Sequence, residues 1–121
     1  MRILIIEDEI LIQQSLKKLI EKRGFLVDVT ERGHEAISKI EKNDYYRIVC
    51  DLMLKDISGF DVIEESKKKY TNEQISKKFI IMTAYSSEQV LQKARKYNCR
   101  VLHKPFENLV EAINVFTQDE S

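Results

Sequence analysis

Chemically reactive side chains follow four short apolar runs of this 121-residue chain. The runs span residues 3–6, 48–50, 79–82 and 101–103. They lead into Glu7-Asp8, Asp51, Thr83-Ala84 and Lys104-Pro105. Carboxylates can bind a cation, and a hydroxyl and an ammonium can donate hydrogen bonds to a phosphoryl group. Apolar runs of this length predict buried parallel strands, whose carboxyl ends meet at one edge of a sheet. The sequence therefore predicts one site at that edge.

The elements that must position these residues alternate regularly between strand and helix signals. Strands are expected over about 2–6, 25–29, 46–50, 78–82 and 99–103. Helices are expected over about 9–23, 33–42, 59–69, 87–97 and 106–117. Gly24 is expected to end the first helix, Ser86 and Gln89 are expected to form a capping box for the fourth, and residues 70–77 are expected to be irregular. This alternation predicts an α/β fold, a five-stranded doubly wound parallel sheet of order 2-1-3-4-5 in a flavodoxin-like (βα)5 arrangement, over one domain at 1–121.

Composition limits the classes of protein to consider. The chain is 43% hydrophobic and 33% charged, which is typical of a soluble globular protein. Its 20 basic and 20 acidic residues cancel, so nothing global favours binding to nucleic acid or to an anionic membrane. No apolar run approaches the roughly 18 residues that a membrane span needs. Because Met1-Arg2 leads directly into the first run, we expect no signal peptide. Cys50 and Cys99 occupy apolar positions and are expected to be reduced, which favours a cytoplasmic location.

The predicted strand order fixes which reactive groups meet. The first and third strands are neighbours, roughly 4.8 Å apart, so Glu7, Asp8 and Asp51 converge. Repulsion among three carboxylates is relieved by a divalent cation, and Mg²⁺ suits such a site because it takes one or two carboxylates and keeps several waters. Thr83 can reach a group attached to Asp51, and Lys104 is long enough to cross the two strand spacings, roughly 10 Å, that separate it from that group.

At these positions the sequence resembles the receiver domain of bacterial two-component response regulators over its whole length. The resemblance rests on Glu7-Asp8, Asp51, Thr83-Ala84, Lys104-Pro105-Phe106, Gly59 and Gly33-His34-Glu35-Ala36. It implies that Asp51 accepts a phosphoryl group from the phosphohistidine of a sensor histidine kinase or a histidine phosphotransfer protein. Such a module catalyses its own phosphorylation and dephosphorylation without being a conventional enzyme.

The same resemblance implies roles for the other site residues. Mg²⁺ is held by Asp8, Asp51 and the backbone carbonyl of Met53, and Glu7 acts through a water. Lys104 and Thr83 bind the phosphate, and Ala84 leaves room for it. The Lys104–Pro105 bond is expected to be cis. Phosphorylation is expected to switch the face formed by the fourth predicted helix, the fifth strand and the fifth predicted helix, through which homodimers can form.

Three positions depart from the family pattern. Glu7 replaces the more frequent aspartate, which lengthens the reach to a metal-bound water. Lys55 stands where the family usually has proline, so the loop after the third strand is expected to be more mobile. Val101 stands where many members have an aromatic residue that moves with the switch hydroxyl, which puts the usual aromatic readout in doubt.

Other functions remain open at this point. A degenerate receiver could bind partners without being phosphorylated, although the acidic set is complete. A haloacid-dehalogenase-type phosphohydrolase needs a second aspartate two residues after the first, where this chain has Met53. A flavodoxin-like flavin binder needs a phosphate loop of Ser, Thr or Gly, where this chain has Glu7-Asp8-Glu9. The output module, the cognate kinase and the oligomeric state are not determined by the sequence.

Overall fold

A computed structural model describes residues 1–84 and 87–119 of the chain. The strands in this described part are β1 (Arg2–Ile6), β2 (Leu26–Thr30), β3 (Arg47–Asp51), β4 (Phe79–Thr83) and β5 (Arg100–His103). The helices are α1 (Ile10–Glu21), α2 (Gly33–Lys42), α3 (Gly59–Ser66), α4 (Asn72–Lys78), α5 (Glu88–Lys96) and α6 (Leu109–Thr117). All strand pairs are parallel and the order is β2-β1-β3-β4-β5, which confirms the predicted sheet.

The sheet is covered on both faces, and side chains alternate between two apolar layers along each central strand. Leu4, Ile48 and Ile81 belong to the layer that packs against α2, α3 and α5. Ile5 and Val49 belong to the layer that packs against α1 and α6. Every residue of β3 and β4 is buried, as expected for parallel strands with helices on both sides.

The expectation of an irregular segment at 70–77 was wrong, because α4 occupies 72–78. A capping box starts this helix: the Thr71 hydroxyl accepts the Gln74 N–H at 3.2 Å, and the Gln74 side chain accepts the Thr71 N–H at 2.9 Å. Ile75 is its one buried residue, so α4 is too short and too polar to produce a helical hydrophobic pattern. The predicted fourth and fifth helices are therefore α5 and α6 of the structure.

Several predicted helix ends shift. The third helix ends at Ser66 rather than near residue 69. The next residues make hydrogen bonds to the carbonyl three positions earlier, as in a 3₁₀ turn; the Lys69 N–H, for example, donates to the Ser66 carbonyl at 3.0 Å. The last helix begins at Leu109 rather than near 106, because the Asn108 side chain caps it by accepting the Glu111 N–H at 3.1 Å. Ser86 of the predicted capping box lies outside the described residues. The Ser87 hydroxyl caps α5 by accepting an N–H at 3.3 Å.

Arg47 holds the end of the sheet opposite the strands' carboxyl ends. Its side chain is buried, and its guanidinium donates to the carbonyls of Phe116, Lys77 and Gln118. The ring of Tyr46 lies against the guanidinium, and the Tyr46 hydroxyl also donates to the Gln118 carbonyl at 2.7 Å. The start of β3 therefore joins the carboxyl ends of α4 and α6.

The two cysteines are free thiols. Cys50 is fully buried in β3, and burial raises its pKa well above the ordinary value. Cys99 is half-buried beside α4, and burial raises its pKa to about 12. None of the helices in 1–84 and 87–119 is long and apolar enough to cross a membrane.

Candidate functional site

The sheet brings the predicted reactive residues to one edge. Asp51 and Thr83 are the last residues of β3 and β4, and Glu7 and Lys104 directly follow β1 and β5. The register holds these ends level, since Ile6 pairs with Cys50 and Asp51 pairs with Met82. Parallel pairing of apolar strands therefore places the polar side chains that follow them side by side.

Lys104 reaches across the edge, as its length predicted. Its Nζ lies 2.7 Å from Glu7 Oε1 and 2.8 Å from Asp51 Oδ2. The Lys104 side chain is only 7% exposed, and the carboxylate side chains of Glu7 and Asp51 are 0% and 5% exposed. The three groups thus form a buried, hydrogen-bonded ion cluster, in which charges interact more strongly than in water.

The electrostatics of this cluster favour a proton on Glu7. Burial disfavours its charged form, and a hydrogen bond and repulsion involving Asp51 add to this, so the pKa of Glu7 is raised to about 8. Burial alone would lower the pKa of Lys104, but hydrogen bonds to Asp51 and Glu7 outweigh it and raise that pKa. The cluster therefore combines a Lys104 ammonium with a Glu7 carboxyl whose environment favours the protonated form.

Carboxylate oxygens of Glu7, Asp8 and Asp51 lie within 4.8 Å of one another. Asp8 is half-buried, and its N–H donates to Glu7 Oε2 at 3.1 Å. The Met53 N–H donates to Asp51 Oδ1 at 3.1 Å, which holds the backbone of residue 53 beside the cluster although the residue as a whole is 58% exposed. Hard oxygen ligands at an edge where Asp8 is only half-buried fit Mg²⁺.

Thr83 and Lys104 are joined through the backbone. The Lys104 N–H donates to the Thr83 carbonyl at 2.8 Å, and Thr83 is buried at the end of β4. Ala84, next along the chain, is exposed at the edge. The Lys104–Pro105 peptide is cis, which confirms the prediction. Tyr85 and Ser86 lie outside the described residues.

Gly59 closes the loop that follows Asp51. Its N–H donates to the Leu52 carbonyl at 3.0 Å, which brings the start of α3 against the end of β3. A Cβ at position 59 would lie 2.5 Å from the Asp51 backbone oxygen and 3.0 Å from Leu52 Cα. Only glycine permits this approach, so position 59 helps to hold the backbone that carries Asp51.

The β3–α3 loop (residues 52–58) has contacts that sequence reasoning missed. Asp56 accepts hydrogen bonds from the backbone N–H groups of Gly33 and His34, and Lys55 lies 3.6 Å from Glu31. The loop that lacks the family's proline is thus attached to the start of α2. No local sequence pattern predicts these contacts, because the partners lie more than twenty residues apart in the sequence.

A family model described as "Response regulator receiver domain" matches residues 3–114. The transcriptional regulatory protein QseB of Escherichia coli O157:H7 is 32% identical over 107 residues, covering 88% of this chain and 47% of QseB. The cell cycle response regulator CtrA of Brucella ovis is 40% identical over 63 residues, covering 52% of this chain and 27% of CtrA. The chain therefore spans about half or less of the length of these relatives.

Solved structures extend the comparison to the fold. The non-phosphorylated receiver domain of HemR from Leptospira biflexa matches with a TM-score of 0.83 and 27% identity, over 99% of this chain and 97% of that one. A receiver domain protein from Methanospirillum hungatei JF-1 matches at 0.80 and 26%, over 93% and 90% of the two chains. The response regulator TrrA from Thermotoga maritima, solved with Mg²⁺-BeF, matches at 0.77 and 29%, over 94% and 95%. These similarities cover nearly the whole of each chain compared.

Proposed function

Because the chain belongs to the response regulator receiver domain family, we propose that residues 1–121 form one phosphorylation-dependent signalling module with Asp51 as its phosphoacceptor. The observation that carries this proposal is the position of Asp51. Its carboxylate is buried at the end of β3, bonded to Lys104 and grouped with Glu7 and Asp8. A carboxylate with a fixed ammonium and a cation-binding cluster beside it is suited to act as a nucleophile on phosphorus.

The phosphoryl donor is a phosphohistidine on a sensor histidine kinase or a histidine phosphotransfer protein. An Asp51 carboxylate oxygen forms the new P–O bond while the P–N bond to the donor imidazole breaks. The bonding pair returns to the imidazole nitrogen, which takes up a proton. The product is an acyl phosphate on Asp51, which water later hydrolyses to regenerate the carboxylate and release inorganic phosphate.

The other residues of the edge support this transfer. Asp8, Asp51 and the Met53 backbone carbonyl hold Mg²⁺, with Glu7 acting through a water, and the bound cation supplies positive charge to the phosphoryl oxygens. Lys104 exchanges its bond to the free carboxylate for one to the phosphoryl group. The Thr83 hydroxyl binds the phosphoryl group from the neighbouring strand, and the small side chain of Ala84 leaves space for it.

The new charge, about −1.5 to −2 for a phosphate ester at neutral pH, biases a two-state surface. That surface is the face made of α5, β5 and α6, through which homodimers can form. Thr83 ends β4 next to β5, so its movement toward the phosphate acts directly on this face. Val101 is half-buried in β5 against the core, so the readout proceeds without an aromatic side chain at that position.

The test is phosphorylation by a small acyl-phosphate donor with Mg²⁺, followed by mass spectrometry of the intact protein. Wild type is expected to gain one phosphoryl group, and Asp51→Asn to gain none, because the amide is a poor nucleophile and a poor cation ligand. Asp44→Asn is the matched control, since Asp44 is an aspartate with an 84% exposed side chain near α4. Equal labelling of Asp51→Asn would refute the assignment. Absence of labelling in wild type, with Mg²⁺ and donor in excess, would favour a degenerate receiver.

A further inference from the structure

Helix α2 starts without a capping side chain of its own. Its N-cap residue is Arg32, which makes no side-chain capping bond. The first N–H groups of a helix have no partner within the helix and need an acceptor from elsewhere. Asp56, in the β3–α3 loop, supplies it: Oδ1 accepts the Gly33 N–H at 2.8 Å and Oδ2 accepts the His34 N–H at 3.0 Å. A residue of the loop after the phosphoacceptor strand thus caps a helix on another part of the sheet.

Two further contacts complete this junction. The His34 ring nitrogen Nδ1 lies 2.7 Å from Asp56 Oδ2. Ile57 packs directly over Gly33, where a Cβ would lie 2.3 Å from Ile57 Cγ1. The loop therefore contacts α2 through the bidentate Asp56 carboxylate and the apolar side chain of Ile57. The approach can be this close because Gly33 has no side chain.

The charge of Asp56 strengthens the junction. Burial opposes its ionisation, but hydrogen bonds from the N–H groups of His34 and Gly33 outweigh this and hold its pKa well below the usual range. The carboxylate is therefore ionised at neutral pH and faces the positive end of the α2 dipole. The neighbouring pair of Lys55 and Glu31 is largely exposed, so it adds little.

The same loop carries the backbone that lies beside the acidic cluster. At its base, Met53 forms an isolated bridge with Ser58, and the Met53 N–H donates to Asp51 Oδ1. Between these two bridge residues the chain runs outward through Asp56. The contact with α2 is thus the one that fixes the outer part of a loop whose inner part borders the cation-binding oxygens.

We propose that Asp56 is a positioning residue for Mg²⁺ binding, acting by clamping the β3–α3 loop to α2 so that the backbone of Met53 is held at the acidic cluster. This inference rests on the proposed function, because it requires that the cluster binds Mg²⁺. Releasing the clamp leaves Asp51, Thr83 and Lys104 in place, since strands and the β5 end position them. Loss of the clamp should therefore weaken cation binding more than it slows transfer once the cation is bound.

The experiment compares Asp56→Ala, Asp56→Asn and the control Glu65→Ala, an exposed acid that pairs with Lys68 on the same side of the molecule. Mg²⁺ affinity is measured by calorimetry without any phosphoryl donor, and amide hydrogen exchange reports the Gly33 and His34 N–H groups. We expect the Mg²⁺ Kd of Asp56→Ala to rise about tenfold, because several loop residues must be ordered on binding. Asp56→Asn, which keeps one acceptor, should be intermediate, and the control should match wild type.

A second readout separates positioning from general damage. The phosphorylation rate of Asp56→Ala at saturating Mg²⁺ should stay within about twofold of wild type, because the cation then orders the loop. Gly33→Ala approaches the junction from the other side, by displacing Ile57, and should also raise the Kd. It replaces Asp56→Ala if that variant does not fold.

The outcomes are distinct. An unchanged Mg²⁺ Kd in Asp56→Ala, together with faster exchange at Gly33 and His34, overturns the clamp as a positioning device. An equal loss of affinity in Glu65→Ala overturns it as well. A wild-type protein that does not bind Mg²⁺ overturns the proposed function itself, on which this inference depends.

Discussion

If the acidic cluster binds Mg²⁺ as proposed, Glu7 is the residue at which a proton and the cation compete. Its carboxylate is fully buried, bonded to Lys104 and close to Asp51. Burial and the neighbouring Asp51 raise the pKa of Glu7 to about 8, which favours the protonated form at neutral pH. A divalent cation at the cluster would stabilise the ionised form of the Glu7 carboxyl, so binding of the cation and release of the proton would be linked.

This linkage predicts that Mg²⁺ stabilises the protein more at about pH 8.5 than at about pH 6. The pKa of Glu7 is about 8 in the folded protein and 4.5 as its ordinary value, so the folded state binds the proton more tightly than the unfolded state. The contribution of this proton to the free energy of unfolding is therefore lost as pH rises through the folded pKa. The raised pKa of Lys104 acts only at higher pH. The measurement is the Mg²⁺-induced shift in Tm at the two pH values. Glu7→Gln removes the titrating group and should flatten the difference; a flat wild-type response would contradict the prediction.

Sequence reasoning succeeded for the residues that end strands and failed for those that act between elements. Glu7, Asp8, Asp51 and Lys104 could be placed together because parallel strands bring their carboxyl ends to one edge. Asp56 could not, since its bonds to α2 depend on how a loop folds over a neighbouring helix. The contacts of Lys104 with Glu7 and Asp51 were thus predictable from the topology of the sheet. The contacts of Asp56 with α2 could be found only from the folded chain.

At the scale of elements, α4 shows how a short helix depends on its cap. It has seven residues and one buried side chain, so packing contributes little to its formation. Thr71 and Gln74 supply the missing partners at its start. The motif was visible in the sequence as Thr-x-x-Gln, but the hydrophobic period that predicted the other helices needs at least two turns.

We therefore predict that Thr71→Ala lowers the free energy of unfolding by about 1 kcal/mol, because two N–H groups lose their acceptors or their alignment. The measurement is urea denaturation followed by circular dichroism. Ser76→Ala is the control, since its hydroxyl bonds only to the Glu73 carbonyl within the same helix. An equal effect of the two substitutions would show that the cap is not what stabilises α4.

At the scale of the whole molecule, the two ends of the sheet have different tasks. The carboxyl end collects the carboxylates of Glu7, Asp8 and Asp51, whose mutual repulsion and burial oppose stability and are offset only in part by Lys104. The opposite end collects Arg47, which donates to three carbonyls at the ends of two helices, α4 and α6. Chemistry and structural support are thus placed about one strand length apart.

Arg47→Ala is predicted to destabilise the fold by about 3–5 kcal/mol, because charge-assisted hydrogen bonds are lost and the carbonyls of Phe116 and Lys77 lose the guanidinium donor. Arg100→Ala is the control at an exposed arginine of β5 and should change stability by less than about 0.5 kcal/mol. Denaturant unfolding measures both. A loss for Arg47→Ala no larger than for Arg100→Ala would contradict the structural role assigned to this end.

The state of the two thiols makes the protein convenient for spectroscopic labelling. Burial raises the pKa of Cys99 to about 12, so little thiolate forms at neutral pH, and the fully buried Cys50 is protected further. Maleimide reagents attack the thiolate, so both native cysteines should react slowly in the folded state. A cysteine introduced at exposed Lys93 on α5 would then carry a fluorophore or spin label selectively, and would report motion of that helix in a chain that lacks tryptophan.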